Sequence, residues 1–301
     1  MITELREKMS VAQTAERRRR VVIHEDDVGM THGANTAFVE LSRRGTCSAG
    51  SVMPPCPWFP EAALMAVAEP TLDLGVHLTL TSEKEPYRWR PLTAPPSSAG
   101  LTDEMGCFWP DVPSVRRHAA KDAVEAELRA QIDLALTAGI DVTHLDGHMG
   151  TVLMPEFVDI YVRLGREYRL PILLVAELDA FNPMSYAGDV DLEPYWQALD
   201  EARADGQPIF DLVIETPWQR GGDVEAAYAE LFASIPEGLT YLSLHFNAPG
   251  DFEVIEPDLA HIRTEEYALF NSDRVAGWVA DHDLEVIGMR SLRDAFRAGE
   301  V

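Results

Sequence analysis

The stretch LDLGVHLTL, residues 72–80, decides how the chain is built. Its leucines and valine at 72, 74, 76, 78 and 80 fall on one face of an extended strand. Asp73, Gly75, His77 and Thr79 fall on the other. A strand with one apolar and one polar face, in a chain that alternates strands with helices, packs its apolar face on helices and turns the polar one inward. A polar interior is costly unless its groups are paired or bind something.

Seven other segments read as strands: 21–27, 47–53, 142–149, 171–175, 209–215, 239–246 and 284–289. Helical periodicity lies between them, around 35–44, 59–68, 120–138, 155–168, 192–204, 223–234, 264–281 and 291–298. The alternation predicts an α/β fold with a parallel sheet, closed as a (β/α) barrel-like, distorted TIM-type barrel of seven to eight strands in a single domain. Residues 1–19 form an N-terminal extension ending in the basic run Arg17–Arg20, read as a solvated lead-in, and the domain spans 20–301. Residues 81–116 form a long loop insertion rich in aromatics, expected to fold and face substrate.

Composition narrows the function classes. The 301 residues carry 50 Asp and Glu against 25 Lys and Arg, a net charge of −25, which excludes a nucleic-acid surface. Three cysteines without a CxxC spacing suit a reduced, cytoplasmic setting, and the first twenty residues lack the apolar run of a secretory signal. No stretch is apolar enough to span a membrane.

Strand ends carry the chemistry. In VTHLDGHM the inner face holds His144, Asp146 and His148; in YLSLHFN it holds Tyr241, Ser243, His245 and Asn247. His77, His148, His245, Asp26 and Asp27 all come late in their strands, where barrel enzymes place their active sites. Taken singly, His77 or His148 reads as a core histidine, and the Asp pair as a turn. If 144–148 is extended, its two histidines lie about 13 Å apart, so one ion cannot take both. His148 is then the better ligand, with His144 and Asp146 deeper. Two histidines and a carboxylate leave open positions on a divalent ion, as hydrolysis requires. HExxH, GxSxG, P-loop and GxGxxG motifs are absent. His24, His32, His118, His261 and His282 show no partner pattern and read as structural or surface residues.

The set HEDDVGMTHGAN, LGVHLTLT, THLDGHMGTVLMP and LSLHFNAP resembles the YdjC/ChbG-like carbohydrate deacetylases, in order over residues 20–297. The resemblance implies a barrel-like fold and a metal-dependent hydrolase that removes an acetyl group from an N-acetylated sugar or oligosaccharide. It implies Asp27, His77 and His148 as ligands of one divalent ion, Zn²⁺ or Mg²⁺ foremost and Mn²⁺, Co²⁺ or Ni²⁺ also suitable. Asp26 is implied as general base, His245 as the acid that protonates the amine, and Asn35 as a supporting group. Family members are often dimers, so a homodimer is the implied assembly. Trp89, Trp109 and Trp218 are candidates for stacking on sugar rings.

The chain departs from the family pattern at Val28, at Thr79 and at Met149–Val152, where further histidines are usual, so the pocket wall is expected to differ there. Two other readings stand beside this one. One is a different barrel metal hydrolase, acting on another amide or a phosphoester, although such barrels commonly open on HxH where this chain has HEDD. The other is a non-catalytic sugar-binding or sensor protein, for which an acid and a base are unnecessary.

Overall fold

In the computed structural model the described residues are 18–85, 87–178 and 189–300; most of the N-terminal extension lies outside them. Seven parallel strands form the centre: β1 (Arg19–Val28), β2 (Ala49–Val52), β3 (Leu74–Leu78), β4 (Leu145–Gly147), β5 (Leu212–Glu215), β6 (Gly238–Leu244) and β7 (Glu285–Val286). The sheet runs β4-β3-β2-β1-β6-β5, and the short β7 pairs beside the start of β1. Helices cover its outer side and supply buried apolar residues such as Phe38, Ile132, Tyr161, Tyr195 and Phe232. Among the described residues no helix is long and apolar enough to cross a membrane.

The sheet curls into a half-barrel and is not the closed TIM-type barrel the alternation predicts. The missing strand is PILLV, 171–175, which makes only isolated bridges from Ile172 to Leu145 and from Val175 to Phe210. Backbone bonds tie it to Leu145 on one side and Phe210 on the other, and side chains add to them. The amides of Ile172, Leu173 and Val175 donate to Gln207 Oε1, Tyr161 Oη and Tyr195 Oη at 2.8–3.1 Å. The segment is thus held by backbone and side-chain bonds together without a continuous ladder.

The other strands form where expected, though β4 is cut to three residues and gives way to a 3₁₀ turn, His148–Leu153, and β7 is cut to two. The helical span 264–281 is two helices, Ala260–Phe270 and Arg274–Asp281. Inside the long insertion stands a helix, Val112–His118, with Asp111 accepting from the Ser114 amide as N-cap. Buried Trp89, Leu101 and Phe108 fix the insertion to the core. Glu127, fully buried on the helix Lys121–Thr137, accepts from the Leu92 and Thr93 amides and clamps it in place.

Close approach decides one glycine. A Cβ on Gly75 would sit 2.5 Å from the His144 ring, which occupies the interior beside β3. That ring is fully buried and has nowhere to retreat. Gly75→Ala should therefore cost about 1–3 kcal/mol through overpacking. Urea unfolding of the variant against wild type checks this, and an unchanged midpoint contradicts the close approach.

Candidate functional site

Adjacent residues on a regular strand point to opposite faces, yet Asp26 and Asp27 both reach the pocket. The cause is a bulge at the end of β1: Glu25 pairs with Gly50 and Val28 with Val52, so three steps on β1 face two on β2. Asp27 takes the left-handed conformation, φ +64°, which turns its carboxyl inward beside that of Asp26. A non-glycine residue held there marks a site where geometry outweighs local preference. Asn35, on the helix His32–Arg44, accepts from the Gly29 amide at 2.7 Å and steadies the turn that follows. It does not line the pocket.

The pocket is a cleft of about 220 Å³ at the C-terminal ends of the strands. Asp26 and Asp27 reach it from β1, His77 from β3, His148 from just beyond β4 and His245 from just beyond β6. Asp27, His77 and His148, all buried, offer one ligand atom each within 4.8 Å of one another. Asp27 Oδ1 lies 3.2 Å from His148 Nδ1 and 3.6 Å from His77 Nε2, and it has no hydrogen-bond partner.

Carboxylates behind the two rings orient them. Asp146 Oδ1 stands 2.8 Å from His77 Nδ1, so that nitrogen carries a hydrogen and Nε2 is the one turned toward Asp27. Glu83 Oε2 stands 3.0 Å from His148 Nε2 and leaves Nδ1 toward Asp27. Two imidazole nitrogens and an orphaned carboxylate oxygen thus converge, each ring backed by its own carboxylate, the arrangement of a histidine–carboxylate metal site. The residues fit a divalent ion.

The electrostatics agree. Burial works against a proton on the His148 ring, but Glu83 and Asp27 outweigh it and raise its pKa to about 10. The place between those carboxylates demands positive charge. Burial would likewise push the Asp27 carboxyl up, yet Arg263 and His148 hold it well below the usual range. Arg263 donates to Asp27 Oδ2 at 2.8 Å, with its guanidinium 4.5 Å from the Phe252 ring centre and 5.5 Å from that of Trp218.

Asp26 stands differently. Its Oδ1 is 2.7 Å from His24 Nδ1, and its Oδ2 accepts from the Ser243 hydroxyl at 2.6 Å. Burial opposes its charge, but the His24 bond and neighbouring histidines keep its pKa below the ordinary value. His245 Nε2 lies 3.9 Å from Asp26 Oδ2. Thr216 donates its hydroxyl hydrogen to Glu266, so its oxygen accepts from His245 Nδ1 at 3.0 Å and Nε2 is left unprotonated. Burial, helped by Arg263, lowers the His245 pKa to about 3. The ring is neutral at rest.

Of the three tryptophans, only Trp218 lines the pocket, 4.7 Å from the His245 ring. Trp89 is buried with its indole donating to the Thr81 carbonyl, and Trp109 stacks on His118. The insertion faces the pocket through Glu83 and Lys84 and turns these two aromatics to other packing. His144 and Asp146 lie deep, as the strand geometry implies. Met149 and Gly150, where the family pattern is broken, form part of the pocket wall.

Glu83, Lys84, Arg263 and His24 reach the site though motif reading does not point to them, and strand alternation places Ser243 on the inner face without a role. His24 sits two residues before Asp26 on the same strand face, and that period was the available signal. Arg263 and Lys84 reach the site through tertiary packing, and no local pattern marks them.

Comparison with known proteins follows the same lines. The family model described as YdjC-like protein matches residues 20–281. A carbohydrate deacetylase of Thermus thermophilus is 34% identical over 253 residues, 84% of this chain and 86% of that protein. A carbohydrate deacetylase of Brevibacillus brevis is 31% identical over 202 residues, 60% of this chain and 75% of that one. A crystal structure from Enterococcus faecalis V583, described as a candidate cellobiose-phosphate cleavage protein, superposes with a TM-score of 0.73. It covers 91% of this chain and 99% of its own at 21% identity, a likeness of fold.

A neutral buried histidine leaves a signature in acid. Between pH about 6.5 and about 3 the unfolded chain takes a proton on His245 that the folded chain refuses. Stability should fall as pH drops through that window, and His245→Asn should remove part of the slope. Urea unfolding at a series of pH values measures it. Parallel curves for the two proteins would show that His245 is not held neutral.

Proposed function

The chain belongs to the YdjC-like family, and on that premise we propose that it is a metal-dependent hydrolase that removes the acetyl group from an N-acetylated sugar. The observation that carries the reading is the orphaned Asp27 oxygen facing one ring nitrogen each of His77 and His148 beside a second, separately held carboxylate, Asp26. The relatives named carbohydrate deacetylases point to the same substrate class. The domain would span 20–301, as the family match over 20–281 suggests.

Asp27, His77 and His148 would hold the ion; two imidazoles and a carboxylate suit Zn²⁺, with Mg²⁺, Mn²⁺, Co²⁺ and Ni²⁺ also accepted by such a site. When bound, the ion supplies Lewis-acid polarisation of the amide carbonyl and acidification of water. Asp26 is the base. The Ser243 hydroxyl bonded to its Oδ2 holds it at the pocket while it accepts the water's proton.

His245 rests neutral with a bare Nε2 near Asp26, so it cannot begin as a loaded acid. It takes up the proton that Asp26 accepted and delivers it to the nitrogen of the breaking C–N bond. The amine needs that proton to leave. Asp146 and Glu83 hold the ligand rings, and Arg263 holds the second oxygen of Asp27. Half-buried Trp218 offers the pocket a flat apolar wall for a sugar face.

Purified protein should carry close to one divalent ion per chain, and His148→Ala should lose it. Elemental analysis decides, and a fully loaded variant would sink the ligand assignment. Asp26→Asn should retain the ion yet release acetate from N-acetylated mono- and disaccharides about 10²–10⁴-fold more slowly, the worth of a general base. Chelator should abolish release by wild type. Undiminished turnover by Asp26→Asn would remove Asp26 as base.

A further inference from the structure

Behind Asp26, away from the pocket, lies a row of buried polar groups that the hydrolytic reading does not use. His24 and His144 are both fully buried, and neither lines the cleft. His24 Nδ1 stands 2.7 Å from Asp26 Oδ1, His24 Nε2 stands 2.9 Å from His144 Nε2, and His144 Nδ1 stands 3.0 Å from the Thr143 hydroxyl.

The Asp26 carboxylate only accepts, so His24 Nδ1 carries a hydrogen. A single hydrogen lies between the two ring Nε2 atoms, 2.9 Å apart, and links them. The Thr143 hydroxyl, which can donate or accept, matches whichever role that leaves to His144 Nδ1. In either arrangement the hydrogen on His24 Nδ1 stays directed at Asp26.

The surroundings lock the row in place. Tyr241 lies 4.7 Å from the His24 ring, stacked at 30°, and its hydroxyl donates to Asp146. The His144 ring fills the space left by the missing side chain of Gly75. The register places His24 beside Ser243 across β1 and β6, so the two groups that bind Asp26 come from neighbouring strands at one level.

We propose that His24 is a positioning residue for Asp26, its ring held from behind by His144 and Thr143, so that the carboxylate keeps one direction toward the water. The inference rests on the reading of Asp26 as base. His24, His144 and Asp146 also lie near enough to one another to surround an ion, but both nitrogens of each ring already face protein partners.

Two amide substitutions test this on the metal-loaded protein, with kcat and KM for acetate release and metal content as readouts. In His24→Asn the side-chain amide takes the place of Nδ1 and still donates to Asp26. In His24→Gln the amide reaches toward His144 and leaves Asp26 Oδ1 unbonded. His24→Gln should lose about 10–100-fold in kcat with KM and metal content unchanged, the usual scale for a supporting hydrogen bond. His24→Asn should recover most of that loss.

Full kcat in His24→Gln, or an equal fall in both variants, overturns the proposal. Loss of an ion equivalent in either variant also overturns it, because the cluster would then be a ligand set. Asp26→Asn measured alongside separates the two readings. If it is inactive while His24→Gln is unimpaired, positioning fails and the base stands; if it is active, the base itself fails.

Discussion

Two neighbouring carboxylates cannot share one face of a regular strand, and the site depends on the way this chain escapes that rule. One extra residue in β1, with Asp27 in the left-handed region, swings both acids to the pocket side. Without the bulge, Asp27 would point away from the cleft, as Glu25 does, and its charge would have no partners there. Glu25 shows the cost of that side: its carboxyl is fully buried and burial raises its pKa well above the usual range. The strain at Asp27 is accepted because Arg263, His148 and His77 repay it with charge and contact.

The rest of the site is arranged around this concentration of negative charge. Asp26, Asp27, Glu83, Asp146 and Glu215 all line one cleft of a protein that is already strongly acidic. Arg263 neutralises Asp27 from one side, and Lys84, paired with Glu256 at 2.6 Å, borders Glu83 at 3.6 Å. Under the proposed function, a cation between His77 and His148 would complete the balance. Each ring therefore has a division of labour between its nitrogens, one tied to a backing carboxylate and the other turned to the centre. His245 stands apart from this scheme. Its neighbour Glu266 accepts from its backbone amide, from Thr216 and from Tyr228, and the ring itself stays neutral.

Much of this was legible in the residues. Period-two alternation put His77 and Asp146 on the inner face, and the β3–β4 register sets them side by side. The late position of Asp26, Asp27, His148 and His245 in their strands placed the site at the correct end of the sheet. The bulge was not legible, since HEDD reads equally well as an unbroken strand. His24 was passed over although the same alternation joins it to Asp26. Glu83 and Lys84 sit in an irregular segment and Arg263 on a helix, where strand periodicity says nothing. The helix at 112–118 hid inside a long loop despite its Asp-Val-Pro start, and an apolar run without alternation, PILLV, was taken for an eighth strand.

That last segment bears on how the fold can vary. Elsewhere, neighbouring strands are aligned by backbone groups that every sequence possesses, so register survives most substitutions. Between β4 and β5 the backbone bonds are few, and Tyr161, Tyr195 and Gln207 reinforce them with side-chain bonds to the same stretch. Those three side chains can be replaced by a single codon change each, whereas a ladder cannot. The seam beside pocket residue Leu173 is thus where an evolving lineage could alter the breadth of the cleft while leaving the strands that bear Asp26, Asp27 and His77 in register.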